Sequence, residues 1–144
     1  MIIDGNKTAA KLREDLKKKI IDLKSTYNSL PSLTVILVGN DHASKIYVKN
    51  KEKFSKEVGI NSEVIRYPEN IDESTILNKI LELNKNKKIS GILVQLPLPK
   101  HINKKKVIEA ILPTKDVDGF HPLNVGHLSS GYDSNIPCTP LGCL

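Results

Sequence analysis

Apolar residues Ala9, Leu12, Leu16, Ile20 and Leu23 recur at three- and four-residue steps, which predicts an amphipathic helix from about Thr8 to Ser25. The run "SLTVILVG" has no such period. It is β-branched and continuously apolar, and it is closed by Gly39, so it reads as a buried strand. A second helix fits from about His42 to Val58, ended by Gly59, and "INSEVIRY" follows as a strand. Asp72 stands where a cap belongs, ahead of a third helix with apolar positions Ile76, Leu77, Ile80 and Leu81. "ISGILVQLPLP" predicts another buried strand, cut off by Pro97 and Pro99. Asn103 can cap a short fourth helix through Leu112, and the chain beyond Pro113 reads as loop-rich. There is no internal repeat and no low-complexity linker.

Strands alternating with helices predict an α/β fold, a three-layer αβα domain with a mostly parallel sheet covered on both faces. Its crossovers should be right-handed. At 144 residues the chain has room for one domain, 1–144, around a single core. In open sheets of this kind ligands bind just beyond the carboxyl ends of the strands.

That rule draws attention to "SKIYVKNKEKF", directly after the first buried strand. A helix turns about 100° per residue, so Ala43, Phe54 and Val58 fall within about 40° of Tyr47 and form a stripe with it. Lys45, Lys49 and Lys56 lie about 160–200° away and Lys53 about 120° away, whereas Lys51 falls about 40° from Tyr47, beside the stripe. Four lysines face solvent and one points inward. Lys51 either lays its stem on apolar surface with the ammonium in water, or serves a site. Two further polar groups occupy corresponding places. Gln95 is the only side chain between Ile92 and Pro99 with hydrogen-bonding power, and a buried amide must find partners. It is either a structural bond to a loop or part of a site. Either Leu-Pro bond after it can be cis. In "KDVDGFHP", Asp118-Gly119 is a turn signal, so each Asp has a turn or capping role open to it. The alternative is that Asp118 offers a carboxylate to a ligand with two adjacent N–H donors.

Composition narrows the partners. The chain has 22 basic and 16 acidic residues, net charge +6, yet only Arg13 and Arg66 are arginine, and it has no Trp and two Phe. Nucleic-acid surfaces use arginine forks and aromatic platforms, so the charge reads as a lysine-rich surface without nucleic-acid binding. Cys138 and Cys143 make neither a disulfide framework nor a zinc spacing, and His42, His101, His121 and His127 lack metal-ligand spacing and read as loop or surface residues, so no metal is expected. No apolar run reaches membrane-spanning length, and "MIIDGNK" lacks a secretory profile. A cytoplasmic protein without a membrane partner is the expectation.

Four stretches, "VGNDHASKIYVKNKEK", "GILVQLPLP", "KDVDGFHPLNVG" and "PCTPLG", together resemble the bifunctional methylenetetrahydrofolate dehydrogenase/methenyltetrahydrofolate cyclohydrolase family in order and spacing, from Ile3-Asp4-Gly5 onward. The resemblance implies a cleft for tetrahydrofolate derivatives. Tyr47 would stack on the folate and Lys51 would be the essential catalytic group. Gln95 would hold that lysine, Asp118 would bind the pterin, and Val94 and Leu96 would make backbone contacts to substrate. His42 departs from the family, which has Pro there, and this touches the loop before the helix rather than the chemistry. The residue types suit cyclohydrolase work. A carboxylate can accept the paired N–H donors of a pterin edge, and a neutral amine can take a proton from the attacking water.

The resemblance also implies NADP for the complete enzyme, held by a C-terminal Rossmann-type nucleotide domain. Here no two glycines are one residue apart, so no G-x-G-x-x-G exists and no cofactor-binding residue is assigned. The chain therefore reads as the N-terminal folate domain lacking that half. Dehydrogenase activity is not expected from it alone; the complete enzyme would be a homodimer and this chain a monomer. A folate-binding remnant without turnover and a basic nucleic-acid-binding module are the alternatives.

Overall fold

Seven residues of the first apolar run, Ser32–Val38, form strand β1, whose alternate side chains leave on opposite faces of a sheet. In the computed structural model, which describes residues 4–143, β1 follows helix α1 (Gly5–Tyr27). After it come α2 (His42–Val58), β2 (Asn61–Tyr67), α3 (Glu73–Lys85), β3 (Gly91–Val94) and α4 (Lys104–Ala110). A 3₁₀ turn at Pro113–Lys115 and helices α5 (Pro122–Ser129) and α6 (Cys138–Cys143) complete it. Ile3, where the motif match begins, and Leu144 lie outside the described residues.

The sheet is parallel in the order β2-β1-β3, with Val35 level with Val64 on one side and Leu93 on the other. Ile36, Val38, Ile92 and Val94 pack with Ile76, Ile80 and Leu83 of α3 and Val107 of α4. Val35, Leu37 and Leu93 pack on the other face with Val48 of α2. The chain leaves β1 in one direction to β2 and returns past it to β3. Right-handed crossovers running in opposite directions place α2 and α3 on opposite faces. The predicted three-layer αβα arrangement follows. An isolated parallel bridge from Ile92 to Asp116 adds one more extended segment beyond β3. Gly91 permits that approach, because a Cβ there would collide with Val117 Cγ1.

Several expectations need correction. The last buried strand is four residues long, ending at Val94, although the Gln95 N–H still donates to Ile36 O at 2.9 Å. Asp72 occupies the N-cap position of α3 without making a side-chain cap bond, whereas Asn103 accepts from the N–H groups of Lys105 and Lys106. The stretch after Pro113 contains two helices rather than loop alone. The legible signal of α5 is His121-Pro122: the imidazole accepts from Leu123 N, and proline suits the first helical position. His121 and His127 are therefore helix-associated rather than loop residues.

The buried face of α2 consists of Ser44, Val48, Ser55 and Val58, rotated from the predicted stripe, while Tyr47 is 62% exposed. Small serines let the helix sit close to the sheet. Ala43 and Tyr47 are thereby turned outward, and Tyr47 and Phe54 face a cleft rather than the core. On α1, only Ile20 is buried.

Candidate functional site

At the carboxyl ends of β1 and β3 the chain turns to opposite sides of the sheet, since β1 leads outward to β2 and β3 leads to the Asp116 segment. A crevice opens where connections diverge in this way. The cleft, about 830 Å³ with a mainly apolar wall, starts at Gln95 and Leu96 and runs back along the α2 face of the sheet to Ser32, Leu33 and Gly91 at the strands' amino ends. Tyr47, Lys51 and Phe54 of α2 form one side; Leu93, Gln95 and Leu96 form the floor, and Val117 and Asp118 the opposite side. Arg13 of α1 closes one end, its guanidinium 4.6 Å from the Phe54 ring centre and 3.3 Å from Glu57.

Lys51 and Gln95, 44 residues apart, meet in this cleft. Both are half-buried, and Lys51 Nζ lies 3.4 Å from Gln95 Oε1. The amide cannot turn freely, because Gln95 Nε2 donates to Leu96 O at 2.8 Å. With its nitrogen held at a carbonyl, the amide presents its oxygen to the lysine. At 3.4 Å the contact is long, as catalytic contacts in unliganded sites often are. Ser44 Oγ donates to the same Leu96 carbonyl at 3.4 Å, so the start of α2 and the end of β3 are tied directly. The Leu96-Pro97 bond is cis.

Asp118 looks across the cleft toward Lys51. Burial pushes its carboxyl above the usual carboxylate range; the Lys51 charge opposes this and the Asp116 carboxylate adds to it. A flat apolar slot with a carboxylate, an amine and an amide at one end can take a planar heterocycle with paired N–H donors.

Of the six residues singled out from the sequence, Tyr47, Lys51, Gln95, Leu96 and Asp118 line one cleft. Val94 does not: its side chain is buried in the α3/α4 core, leaving only its backbone near the site. Phe54 was assigned to the helix stripe but lines the cleft. Arg13, Phe120, Cys138 and Thr139 line it without having been anticipated. Their only sequence signal was membership in the quoted motifs, which Arg13 lacks. Among the described residues no group of three or more His, Cys, Asp or Glu could hold a metal.

The tetrahydrofolate dehydrogenase/cyclohydrolase catalytic-domain family model matches residues 3–118. The chain is 65% identical to the bifunctional protein FolD of Pelagibacter ubique (strain HTCC1062) over 143 residues, 99% of this chain and 51% of that protein. The crystal structure of the bifunctional enzyme FolD from Campylobacter jejuni superposes with a TM-score of 0.93 at 49% identity, covering 97% of this chain and 50% of that one. The Trypanosoma brucei methylenetetrahydrofolate dehydrogenase-cyclohydrolase, solved with NADP and an inhibitor, gives 0.92 at 31% identity, covering 96% and 48%. The chain spans about half the length of these relatives.

Proposed function

The chain belongs to the tetrahydrofolate dehydrogenase/cyclohydrolase catalytic-domain family, and on that premise we propose that residues 1–144 form a folate domain. Its cleft binds a reduced folate, and Lys51 serves the hydrolysis of methenyltetrahydrofolate to 10-formyltetrahydrofolate. The observation that carries this reading is the Lys51–Gln95 contact at 3.4 Å, set against Asp118. Asp118 accepts the paired N–H donors of the pterin edge, and Tyr47 offers its ring to the aryl part of the ligand. Water adds to the cationic methenyl carbon, forming a C–O bond, and the neutral-amine form of Lys51 takes one water proton. The C–N5 bond then breaks, with N5 receiving a proton from Lys51, while the second water proton leaves to solvent as the formyl C=O forms. Gln95 keeps the amine aimed throughout. General acid–base assistance of this kind is worth about 10²–10⁴-fold.

In the complete enzyme, the companion oxidation of methylenetetrahydrofolate would pass a hydride to NADP. This chain's own strand–turn–helix at the end of β1 does not fit that cofactor. The Asp41 carboxylate occupies the start of α2, accepting from Ser44 N at 2.8 Å, where a dinucleotide would place its pyrophosphate. Two anions do not share one helix N-terminus, and no hydride step is assigned to the residues described.

Lys51→Met should abolish methenyltetrahydrofolate hydrolysis, followed by loss of its near-ultraviolet absorbance, with far-ultraviolet circular dichroism unchanged. Hydration at a near-normal rate in that variant would refute the assignment. Binding without turnover is the competing reading, favoured by the exposure of Tyr47 at the open cleft mouth. It predicts a wild-type chain that binds reduced folate but hydrolyses none above the Lys51→Met background.

A further inference from the structure

Asp116 does not line the cleft, yet the residue is 2% exposed, an expensive place for a charge unless it is well paired. Both of its bonds go to one oxygen: Oδ2 accepts from His121 N at 2.8 Å and from Asn124 Nδ2 at 2.9 Å. Asn124, itself 6% exposed, also donates through Nδ2 to Pro113 O at 2.9 Å. From the far side, Asn135 Nδ2 donates to the Asp116 carbonyl at 2.8 Å, and the Cys138 thiol lies 3.7 Å from Val117 O. Gly119 completes the enclosure. Its φ is +67°, and a Cβ there would stand 2.5 Å from Asn135 O.

The residues around Asp118 are thus gripped by the 3₁₀ turn, by the first turns of α5 and by the 135–138 segment. Little freedom is left beyond the side-chain torsions of Asp118 itself. We propose that Asp116, Asn124 and Asn135 are positioning residues, a clamp that holds the turn so that Asp118 faces Lys51 across the cleft. The proposal rests on the folate reading for the ligand, and on geometry alone for the clamp. Catalytic geometry tolerates little displacement, since an error of about 1 Å can cost about 10²-fold.

Charge and geometry are separable here. Because both donors reach one oxygen, Asp116→Asn can keep the clamp through its amide oxygen while removing a negative charge. Asn124→Ala removes the clamp's bonds to Asp116 Oδ2 and Pro113 O from α5 and keeps the charge. The charged groups acting on Asp118 are Lys51 from α2 and Asp116 on its own segment; nearby, the Cys138 thiol of α6 lies against Val117 O and the His121 imidazole at the start of α5 accepts from Leu123 N. Asp116 pushes the Asp118 carboxyl upward, so its neutralisation should let Asp118 ionise at lower pH.

The test is titration of the whole chain with 5-formyltetrahydrofolate from pH 4 to 8, with unfolding curves for every variant. Asn124→Ala should raise the dissociation constant about tenfold or more while remaining folded, as expected for loss of a buried hydrogen bond at a site that needs orientation. Asp116→Asn should bind within about threefold of wild type at neutral pH, a substitution cost small on the same scale. Its binding midpoint should move to lower pH, which a purely structural role would not produce. Should Asn124→Ala fail to fold, Asn135→Ala at the exposed rim takes its place. Unchanged affinity in a folded clamp variant, or an unmoved midpoint in Asp116→Asn, would overturn the proposal. If wild type binds no folate, the functional reading fails instead. The clamp is then judged by amide exchange at His121, whose N–H is held by Asp116 Oδ2; exchange there should quicken in Asn124→Ala, and unchanged protection overturns it.

Discussion

A single carboxyl carries most of the pH dependence expected of this cleft. Asp118 is pushed above its ordinary value of 3.8, by burial first, so it protonates sooner on acidification than a free aspartate does. Once protonated it no longer accepts two N–H donors, so folate affinity should fall as pH drops through that raised value. Asp118→Asn should bind folate at least about tenfold more weakly at neutral pH, on the scale of a lost charged bidentate pair, and should lose this pH dependence. For stability the sign is the reverse. A carboxyl with a raised folded-state pKa makes the native state bind more protons than the unfolded one, so its contribution falls as pH rises from about 4 through the raised value. Asp118→Asn should therefore melt slightly higher than wild type at pH 7; an equal or lower midpoint counts against the burial penalty. At this scale the residue types were legible: a lone amide in an apolar run and one inward lysine stand out as polar groups needing a partner. Their meeting was not legible from periodicity, because Lys51 and Gln95 are 44 residues apart; only the family resemblance implied it.

The helices show where local rules suffice and where packing decides. Asn103 and Asp72 look alike in sequence, each a short polar residue before an apolar-periodic stretch. Only Asn103 uses its side chain, accepting from two backbone N–H groups. Asn103→Ala should cost about 0.5–2 kcal/mol in denaturant unfolding, and Asp72→Ala no more than about 0.5 kcal/mol, as a surface change that breaks no cap bond. Equal losses would contradict the assignment. The limits of α2, His42 and Val58, were read with Gly59 as the stop, a local signal. Its rotation was not, since the wheel treats Ser44 and Ser55 as polar although close approach to the sheet buries both. The same limit hid α5, a short helix fixed by the Asn124 and His121 contacts to Asp116 rather than by an apolar period.

For the molecule as a whole, the two sheet faces do different work. The α3/α4 face is a closed core, while the α2 face leaves the cleft between the helix and the Asp118 turn. Ile80 is fully buried in the closed face. Ile80→Ala should cost about 2–5 kcal/mol of stability yet leave the folate dissociation constant unchanged at temperatures where the chain is folded; a parallel loss of affinity would show that the faces are coupled. The lysine-rich surface is interleaved with carboxylates, as in the pairs Lys56–Glu52, Lys79–Glu82 and Lys106–Glu73, and no described helix is long and apolar enough to cross a membrane. The sequence by itself determined the order of strands and helices through α4 and the parallel, two-faced sheet, because hydrophobic period, turn residues and crossover handedness are local or nearly local constraints. It also marked the polar residues Lys51, Gln95 and Asp118 of the cleft, with Tyr47 and Leu96 beside them. Only the tertiary structure decided which way α2 rolls, that Arg13 closes one end of the cleft, and that Asp116 is enclosed while Asp118 is presented. Each of these depends on contacts between segments far apart in the chain, where steric fit and hydrogen-bond satisfaction, not periodicity, select the arrangement.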